Sequence, residues 1–373
     1  MHIALVAHNI RRGDGQGRVN LEIVKHALAR GHQCTLLADD VDSELTDAGA
    51  NWVPIHAKVP RPNLFKVYGF ARRADAELRR TSQAFDVIVG NGYTLNHPHQ
   101  VNVCHFVHGT WRKSEYHVSR REKNANAAYQ WTYSKLNAVW EKRAFDHARC
   151  VVAISRLTQN ELKKIGVQES KIRLIPNGVD LNEFAPSIVE RSELGLPVDV
   201  PLALFIGDIK SPRKNLDTVM NALSQIPSLH LAVVGEAAGS PFPDMARALG
   251  VSDRVHFLGF RRDIAKLLPA VDVFVFPSRY ETFGLVVLEA LASGVPVVTA
   301  STVGASELMT PACGSVLLDP NRVDDLVQAI QQQLVQDPGA RQQTRQAARR
   351  VAEKYSWTNM AQAYLDLFEE LRR

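Results

Sequence analysis

Residues 277–298, Pro-Ser-Arg-Tyr-Glu-Thr-Phe-Gly-Leu-Val-Val-Leu-Glu-Ala-Leu-Ala-Ser-Gly-Val-Pro-Val-Val, constrain the fold of this chain more tightly than any other segment. They follow the apolar run Val271 to Phe276. The order therefore reads as strand, polar loop, helix, glycine stop at Gly294 and a second strand, one βαβ unit. Parallel strands joined through a helix belong to an open α/β sheet. At the joint, Thr282, Phe283, Gly284 and Leu285 lie where the helix begins. Free backbone N–H groups and the positive end of the helix dipole point into that loop, which suits a phosphate.

Two carboxylates flank this joint. Glu281 lies in the loop and Glu289 about one turn into the helix, so both face the carboxyl ends of the strands, where ligands of open α/β sheets bind. One nucleotide sugar can span them. Glu289 is expected to accept hydrogen bonds from a vicinal diol such as a ribose, and Glu281 from hydroxyls of a transferred sugar, with the phosphates on the amides between. Alone, Glu281 would be a solvated loop residue and Glu289 an ordinary helix carboxylate. The string Pro-Ser-x-x-Glu-x-Phe-Gly-x-x-x-x-Glu-Ala is what favours the functional reading.

With 373 residues the chain exceeds what one hydrophobic core usually serves, and two domains are expected. Apolar residues make up 45% and charged residues 22%, which describes an ordered globular protein. The start, Met1 to His8, reads as a first strand rather than a signal peptide, having no basic lead or small-residue cleavage site. No apolar run approaches the roughly eighteen residues that span a bilayer, so a cytoplasmic or membrane-peripheral protein is expected. Cys34, Cys104, Cys150 and Cys313 are far apart in apolar settings, as reduced core thiols are.

The net charge of +5 is too small to imply nucleic-acid binding. Its distribution is uneven, because 111–149 interleaves Arg112, Lys113, Arg120, Arg121, Lys123, Lys135, Lys142 and Arg143 with Trp111, Tyr116, Tyr129, Trp131, Tyr133 and Trp140. Such a stretch can rest on an anionic membrane surface or hold an acidic acceptor. A helical hairpin with aromatic core contacts and a solvated basic face fits the same residues.

Along the chain, strands are expected at Ile3 to Ala7, Gln33 to Ala38, Val87 to Val89, Val101 to Cys104, Val151 to Ile154 and Ile172 to Ile175. A second set follows at Leu202 to Ile206, Leu229 to Val234, Val255 to Leu258, Val271 to Phe276 and Val295 to Thr299. Helical stretches alternate with both sets, giving two doubly wound lobes. The first helix spans about Val19 to Arg30 and stops at Gly31. Pro186, Pro197, Pro201 and Gly195 mark a linker between Phe184 and Pro201, placing the domains at 1–186 and 187–356. Helices are expected from Ala340 to Arg350 and from Trp357 to Leu371.

The 277–298 string resembles the glutamate, seven residues, glutamate signature of the retaining family-4 glycosyltransferases of GT-B fold. Further matches run in order: Val151-Val152-Ala153-Ile154-Ser155, Ile175-Pro176-Asn177-Gly178-Val179-Asp180, Val255-His256-Phe257-Leu258-Gly259 and Tyr355-Ser356-Trp357. The resemblance implies two Rossmann-like lobes facing across a cleft. The first would bind a glycan, glycolipid or small-sugar acceptor and the second a nucleotide-diphosphate sugar. The final helix, about 357–373, would cross back to the first lobe, and lobe closure would expel water.

The resemblance also implies residue roles. Gly15 and Gly17, with Gly13 in the loop after the first strand, would face the donor phosphates and the acceptor. Gly207 and Gly235 close two strands of the donor lobe, and Phe260 and Arg261 would meet the base through their backbone. After Gly207 comes Asp208-Ile209-Lys210-Ser211-Pro212-Arg213-Lys214, a cationic loop suited to a departing diphosphate. Lys214 fits the family lysine, whereas Asp208 stands where the family has arginine. Lys210 or Arg213 would then supply the missing charge, and Arg213 is preferred. His108 follows a first-lobe strand and would orient a donor hydroxyl or help carry the acceptor proton, with His105 competing for the role.

No metal or other cofactor is expected, the sugar nucleotide being a co-substrate. The Asp40-Val41-Asp42 triplet has no His or third carboxylate beside it. Lys214 and the helix amides would do a metal's electrostatic work. Two other functions share parts of this pattern. A sugar-nucleotide epimerase would need a base for a sugar C–H, which is not evident, and a non-catalytic nucleotide-sugar scaffold would need neither Lys214 nor His108. The expected role is in cell-envelope glycolipid, lipopolysaccharide or polysaccharide synthesis.

Overall fold

The structure is a computed structural model that describes residues 1–56, 63–81 and 84–372. It divides into two compact units, Met1–Gly178 with Trp357–Arg373, and Val179–Ser356. Parts of the expected first domain, 57–62 and 82–83, and Arg373 of the final helix lie outside the described residues.

The first unit runs β1 (His2–Ile10), α1 (Gly15–Ala29), β2 (Gln33–Val41), α2 (Ser43–Asp47), β3 (Asn51–Pro54), α3 (Asn63–Thr81), β4 (Val87–Asn91), β5 (His99–Cys104), α4 (His108–Trp111), α5 (Val118–Arg121), α6 (Ala125–His147), β6 (Ala148–Ala153), α7 (Arg156–Lys164) and β7 (Ile172–Leu174). Its strands form one parallel sheet in the order β3-β2-β1-β4-β5-β6-β7. Ile3, Leu5, Val6, Ile88, Val89, Val101 and Val103 are buried, as strands covered by helices on both faces require. The strand order reverses between β1 and β4, so ligands are expected at their carboxyl ends.

The second unit runs β8 (Leu202–Ile206), α8 (Leu216–Ser224), β9 (His230–Val234), α9 (Phe242–Ala248), β10 (Val255–Gly259), α10 (Ile264–Leu267), β11 (Val273–Phe276), α11 (Leu285–Ala292), β12 (Val297–Ala300), β13 (Gly314–Leu317), α12 (Val323–Leu334) and α13 (Pro338–Glu353). Its parallel sheet is ordered β10-β9-β8-β11-β12-β13. Here the reversal falls between β8 and β11, which are paired through Val273 and Ala203. The loops after these two strands, 207–215 and 277–284, are thereby brought side by side.

The final helix, α14 (Trp357–Leu371), packs in the first unit against α1. Its Tyr364 and Phe368 are fully buried, Gln362 Oε1 lies 3.1 Å from His26 Nε2, and the Arg18 guanidinium covers the Trp357 ring at 5.8 Å. The division falls at Gly178/Val179 rather than at 186. The Val179 N–H donates to the Tyr355 carbonyl at 2.9 Å, and Arg349 donates to the carbonyls of Leu181 and Phe184, so 179–184 is tied to the end of α13.

Two strands, β3 and β13, have no counterpart among the expected ones. Both are sheet edges of four residues, Asn51-Trp52-Val53-Pro54 and Gly314-Ser315-Val316-Leu317, too short and too polar to show an apolar run. The first helix begins at Gly15, four residues before Val19 (19 − 15 = 4). Gly15 and Gly17 consequently belong to the first turn of α1, not to a loop. Asp14 makes this start: its Oδ1 accepts the Gln16 and Gly17 N–H groups at 3.0 and 3.2 Å. Glycine is required at 17, where a Cβ would sit 2.8 Å from the Arg11 carbonyl oxygen.

Candidate active site

The loop after β11 carries Glu281 and is held from several sides. Asn215, fully buried with φ of 66°, donates from Nδ2 to the Pro277 carbonyl at 2.8 Å and the Pro320 carbonyl at 2.7 Å. Arg279 makes a two-pronged contact with Asp217 at 2.6 and 2.9 Å and also reaches Asn321 and the Pro212 carbonyl. The Thr302 and Ser278 hydroxyls donate to the Ser278 and Arg213 carbonyls. The Glu281 backbone zips onto 302–304, its N–H donating to Thr302 O at 3.0 Å and its carbonyl accepting from Gly304 at 2.9 Å. The loop is thus set before any ligand arrives.

Lys214 and Arg213 converge on one oxygen of Glu281. The Lys214 Nζ bonds Oε2, and Arg213 Nη1 lies 3.5 Å from the same atom while donating to the Tyr280 carbonyl at 3.1 Å. Lys214 and Glu281 side chains are only 14% and 16% exposed, so this contact is shielded from water. Burial pushes the Lys214 ammonium below the ordinary lysine range. Glu281 opposes that shift and Arg213 adds to it. The Lys214 Nζ also lies 5.0 Å from the centre of the Phe276 ring.

Asp208 is exposed and its Oδ1 accepts the Lys210 N–H at 3.0 Å, a local turn contact. Arg213 Nη1 lies 3.5 Å from Glu281 Oε2, beside Lys214. Gly207 and Gly235 end β8 and β9 so closely that a Cβ on Gly235 would lie 2.4 Å from the Gly207 carbonyl oxygen. A Cβ on Gly207 would itself meet the Lys214 stem at 3.4 Å.

Gly284 adopts φ of 90° immediately before α11, where a side chain would lie 2.9 Å from Val303 Cγ1 and 3.3 Å from Glu281 Cγ. Leu285 opens the helix, Thr282 and Phe283 are buried below it, and Glu289 follows one turn on, half-buried. Phe260 is 76% exposed just after β10, whereas the Arg261 side chain is engaged by Asp263 at 2.6 and 2.8 Å.

In the first unit, His108 opens the short α4 after β5. Its backbone N–H donates to Glu141 Oε2 at 3.0 Å, and its Nδ1 lies 3.2 Å from Oε1 of the same carboxylate. Glu141 is 3% exposed, so one buried group fixes both the main chain and the ring of His108. A carboxylate accepts only, so this contact favours the tautomer with the ring proton on Nδ1 and leaves Nε2 outside the Glu141 contact. His105 differs: its buried Nε2 has no partner among the described residues, and burial pushes its imidazole down to about 4.

Asn215, Arg279 and Glu141 were not singled out in the sequence. Arg279 lies inside the informative string, but the roles of Asn215 and Glu141 depend on partners 62 and 33 residues away. The Asp-x-Asp carboxylates are occupied structurally: Asp42 caps α2, and Asp40 pairs with Arg11 at 3.0 Å. Among the described residues no group of three His, Cys, Asp or Glu side chains is arranged to hold a metal ion, and the four cysteines are buried and free. No described helix is long and apolar enough to cross a membrane. Within 111–149, Trp140 stacks on Tyr93 at 5.0 Å, while Trp131 is 40% exposed beneath the Lys135 ammonium.

These two doubly wound units define the GT-B class, and solved structures share the fold. WaaG, a glycosyltransferase involved in lipopolysaccharide biosynthesis, superposes with a TM-score of 0.76 at 20% identity, covering 98% of this chain and 99% of its own. Anabaena HepE in complex with UDP-glucose gives 0.73 at 20% identity, covering 100% of both chains. Residues 13–183 match the pattern of Glycosyltransferase Family 4, and 187–351 that of Glycosyl transferases group 1. The chain belongs to this glycosyltransferase family. A relative, the D-inositol 3-phosphate glycosyltransferase of Xylanimonas cellulosilytica, is 33% identical over 273 residues, covering 68% of this chain and 65% of its own. The matches span between 50% and 65% of the length of this relative and others of the same name.

Proposed function

We propose that the protein transfers a sugar from a nucleotide diphosphate to an acceptor hydroxyl with retention of anomeric configuration, without a resident metal. The observation that carries this reading is the Glu281 carboxylate held between Lys214 and Arg213 beside the start of α11. A carboxylate neutralised by two cations is a poor nucleophile and a good acceptor of sugar hydroxyl protons. The acceptor oxygen therefore attacks the anomeric carbon on the face from which the diphosphate departs. The carbon–oxygen bond to phosphate breaks, and the leaving phosphate oxygen takes the acceptor's proton.

Negative charge grows on the diphosphate during that step. Lys214, Arg213 and the first amides of α11 are fixed partners for it, in place of water that would have to reorient. The diphosphate competes with Glu281 for Lys214, so donor binding loosens this ion pair and frees Glu281 for the sugar. Glu289 is assigned the ribose diol, and the backbone beside Phe260 the base. Gly207 and Gly235, just after β8 and β9, are assigned to the donor, the close approach at Gly207 leaving the Lys214 stem its place. The first unit is assigned the acceptor, with His108 Nε2 acting on a hydroxyl. Gly15 and Gly17, in the first turn of α1, are assigned to the donor phosphates and the acceptor.

A UDP sugar is the favoured donor, as in the complex of the HepE structure. An envelope glycolipid or polysaccharide acceptor accords with the involvement of WaaG in lipopolysaccharide biosynthesis, and the basic, Trp131-bearing stretch 111–149 is assigned to an anionic membrane surface. The test is a thermal-shift and hydrolysis screen against nucleotide-diphosphate sugars, with and without EDTA. The anomeric configuration of released or transferred sugar is then read by NMR. Selective stabilisation, EDTA-insensitive release and a retained anomer are expected. An inverted product refutes the face of attack. Conversion of the donor to an epimer, or tight binding with no turnover, refutes transfer.

A further inference from the structure

A groove of about 500 Å³ lies on the first unit between α3 and α6, lined by neither the Glu281 loop nor His108, although its α6 side belongs to the stretch 111–149. On α3, Tyr68, Arg72, Asp75 and Arg79 recur at three- and four-residue spacing and so share one helix face. Trp140, Arg143 and His147 do the same on α6. Three rings make an apolar platform: Trp140 lies 5.0 Å from Tyr93 and 5.3 Å from Tyr68, centre to centre.

The charges around this platform are unbalanced. Asp75 is the acidic residue in the lining, and it is buried: its Oδ1 accepts the Asn96 and His97 N–H groups, each at 2.8 Å, and its Oδ2 the Asn96 Nδ2 at 3.4 Å. Its charge is spent on fastening the loop between β4 and β5. Arg72 lies over the Tyr68 ring at 5.9 Å and donates to its hydroxyl at 3.4 Å, and among the described residues none of Arg72, Arg79 and Arg143 forms an ion pair within 4.0 Å. Three guanidinium groups on two helices, around stacked rings, make a concave site with planar, forked donors.

We infer that this groove binds a phosphate-bearing ring: a phosphorylated sugar or cyclitol, with the ring on Tyr68 and Trp140 and the phosphate among Arg72, Arg79 and Arg143. The forked donors fit phosphate oxygens in pairs, and the rings select against inorganic phosphate. The groove also has a direction. Trp140 neighbours Glu141, which holds His108, whereas His147 is the last residue of α6 and leads into the first residue of β6. One end therefore lies toward His108 and the other at the opposite edge of the sheet. A ligand anchored here is an anionic portion of the acceptor, an assignment that rests on the acceptor reading given above; the binding itself does not.

The test is calorimetric titration of the full chain with inositol 1-phosphate, inositol, inorganic phosphate, and vesicles of phosphatidylcholine with or without phosphatidylinositol. Inositol 1-phosphate is expected to bind at least tenfold more tightly than inositol or inorganic phosphate. Arg79→Gln/Arg143→Gln and, separately, Tyr68→Ala should each weaken it tenfold or more. These side chains are exposed, so the variants should fold, and unchanged thermal stabilisation by the nucleotide sugar checks this. Binding only to phosphatidylinositol vesicles, lost in the double variant, supports the site with a lipid headgroup as its source. Binding to neither form, equal binding of inorganic phosphate, or binding unmoved by the double variant overturns it. Loss of donor binding with this site intact would instead count against the transferase reading.

Discussion

Replacing Glu281 by Gln tests the donor site because it removes one charge and almost no volume. Two consequences follow from the geometry. First, a charged acceptor for the sugar hydroxyls becomes a neutral amide. A hydrogen bond to a charged group contributes about 1.5–3 kcal/mol. At 1.36 kcal/mol per factor of ten, turnover should fall between tenfold and roughly 150-fold. Second, Lys214 loses the neighbour that supports its proton. Burial and Arg213 both act to lower its affinity for that proton, and Glu281 is the largest opposing influence. In the proposed mechanism the ammonium stabilises the leaving diphosphate, a contribution present below its pKa and lost as pH rises through it. In Glu281→Gln the alkaline limb of the rate profile must therefore move to lower pH.

The unfolding temperature should fall by only a few degrees, because the amide oxygen of the variant can still accept from Lys214 and the loop is held independently by Asn215, Arg279 and Thr302. The assay is sugar release from the best-stabilising nucleotide sugar between pH 6 and 10, with a thermal melt of each variant. Unchanged turnover, or an alkaline limb that stays in place or moves upward, would refute the coupling of Glu281 to Lys214.

Glu141→Gln keeps an amide oxygen that can accept the His108 backbone N–H, so turnover and melting temperature should change little; Glu141→Ala removes both contacts to His108 and should lower both, and equal behaviour of the two variants would contradict this. Gly284→Ala places a Cβ 2.9 Å from Val303 Cγ1 at φ of 90°. A loss of about 1–3 kcal/mol is expected, read by chemical denaturation, with weaker nucleotide binding. EDTA should leave the rate of sugar release within twofold; abolition restored by a divalent ion would show that Lys214, Arg213 and the α11 amides are insufficient.

The sheets were legible because parallel strands buried on both faces must be continuous apolar runs. Leu202 to Ile206 and the start of α14 at Trp357 fall where the residues say they should. The edge strands β3 and β13 were not, since an edge of four residues carries no such run. Gly15 and Gly17 show a different limit. Glycines after a strand read as a loop, yet the Asp14 cap draws both into α1, and a cap is decided by which N–H groups its oxygen reaches.

The amino-acid order alone determined the βαβ unit around 277–298, the spacing of Glu281 and Glu289, and the placing of a lysine and an arginine in the loop after β8, because these are local relations along one chain. Only the tertiary structure decided that β8 and β11 are neighbours, and hence that Lys214 and Arg213 converge on one oxygen of Glu281. The same holds for Glu141 under His108 and for the arginines gathered between α3 and α6. Each joins side chains separated by tens of residues, and a charged residue carries no mark in the sequence of whether water or a distant partner will meet it.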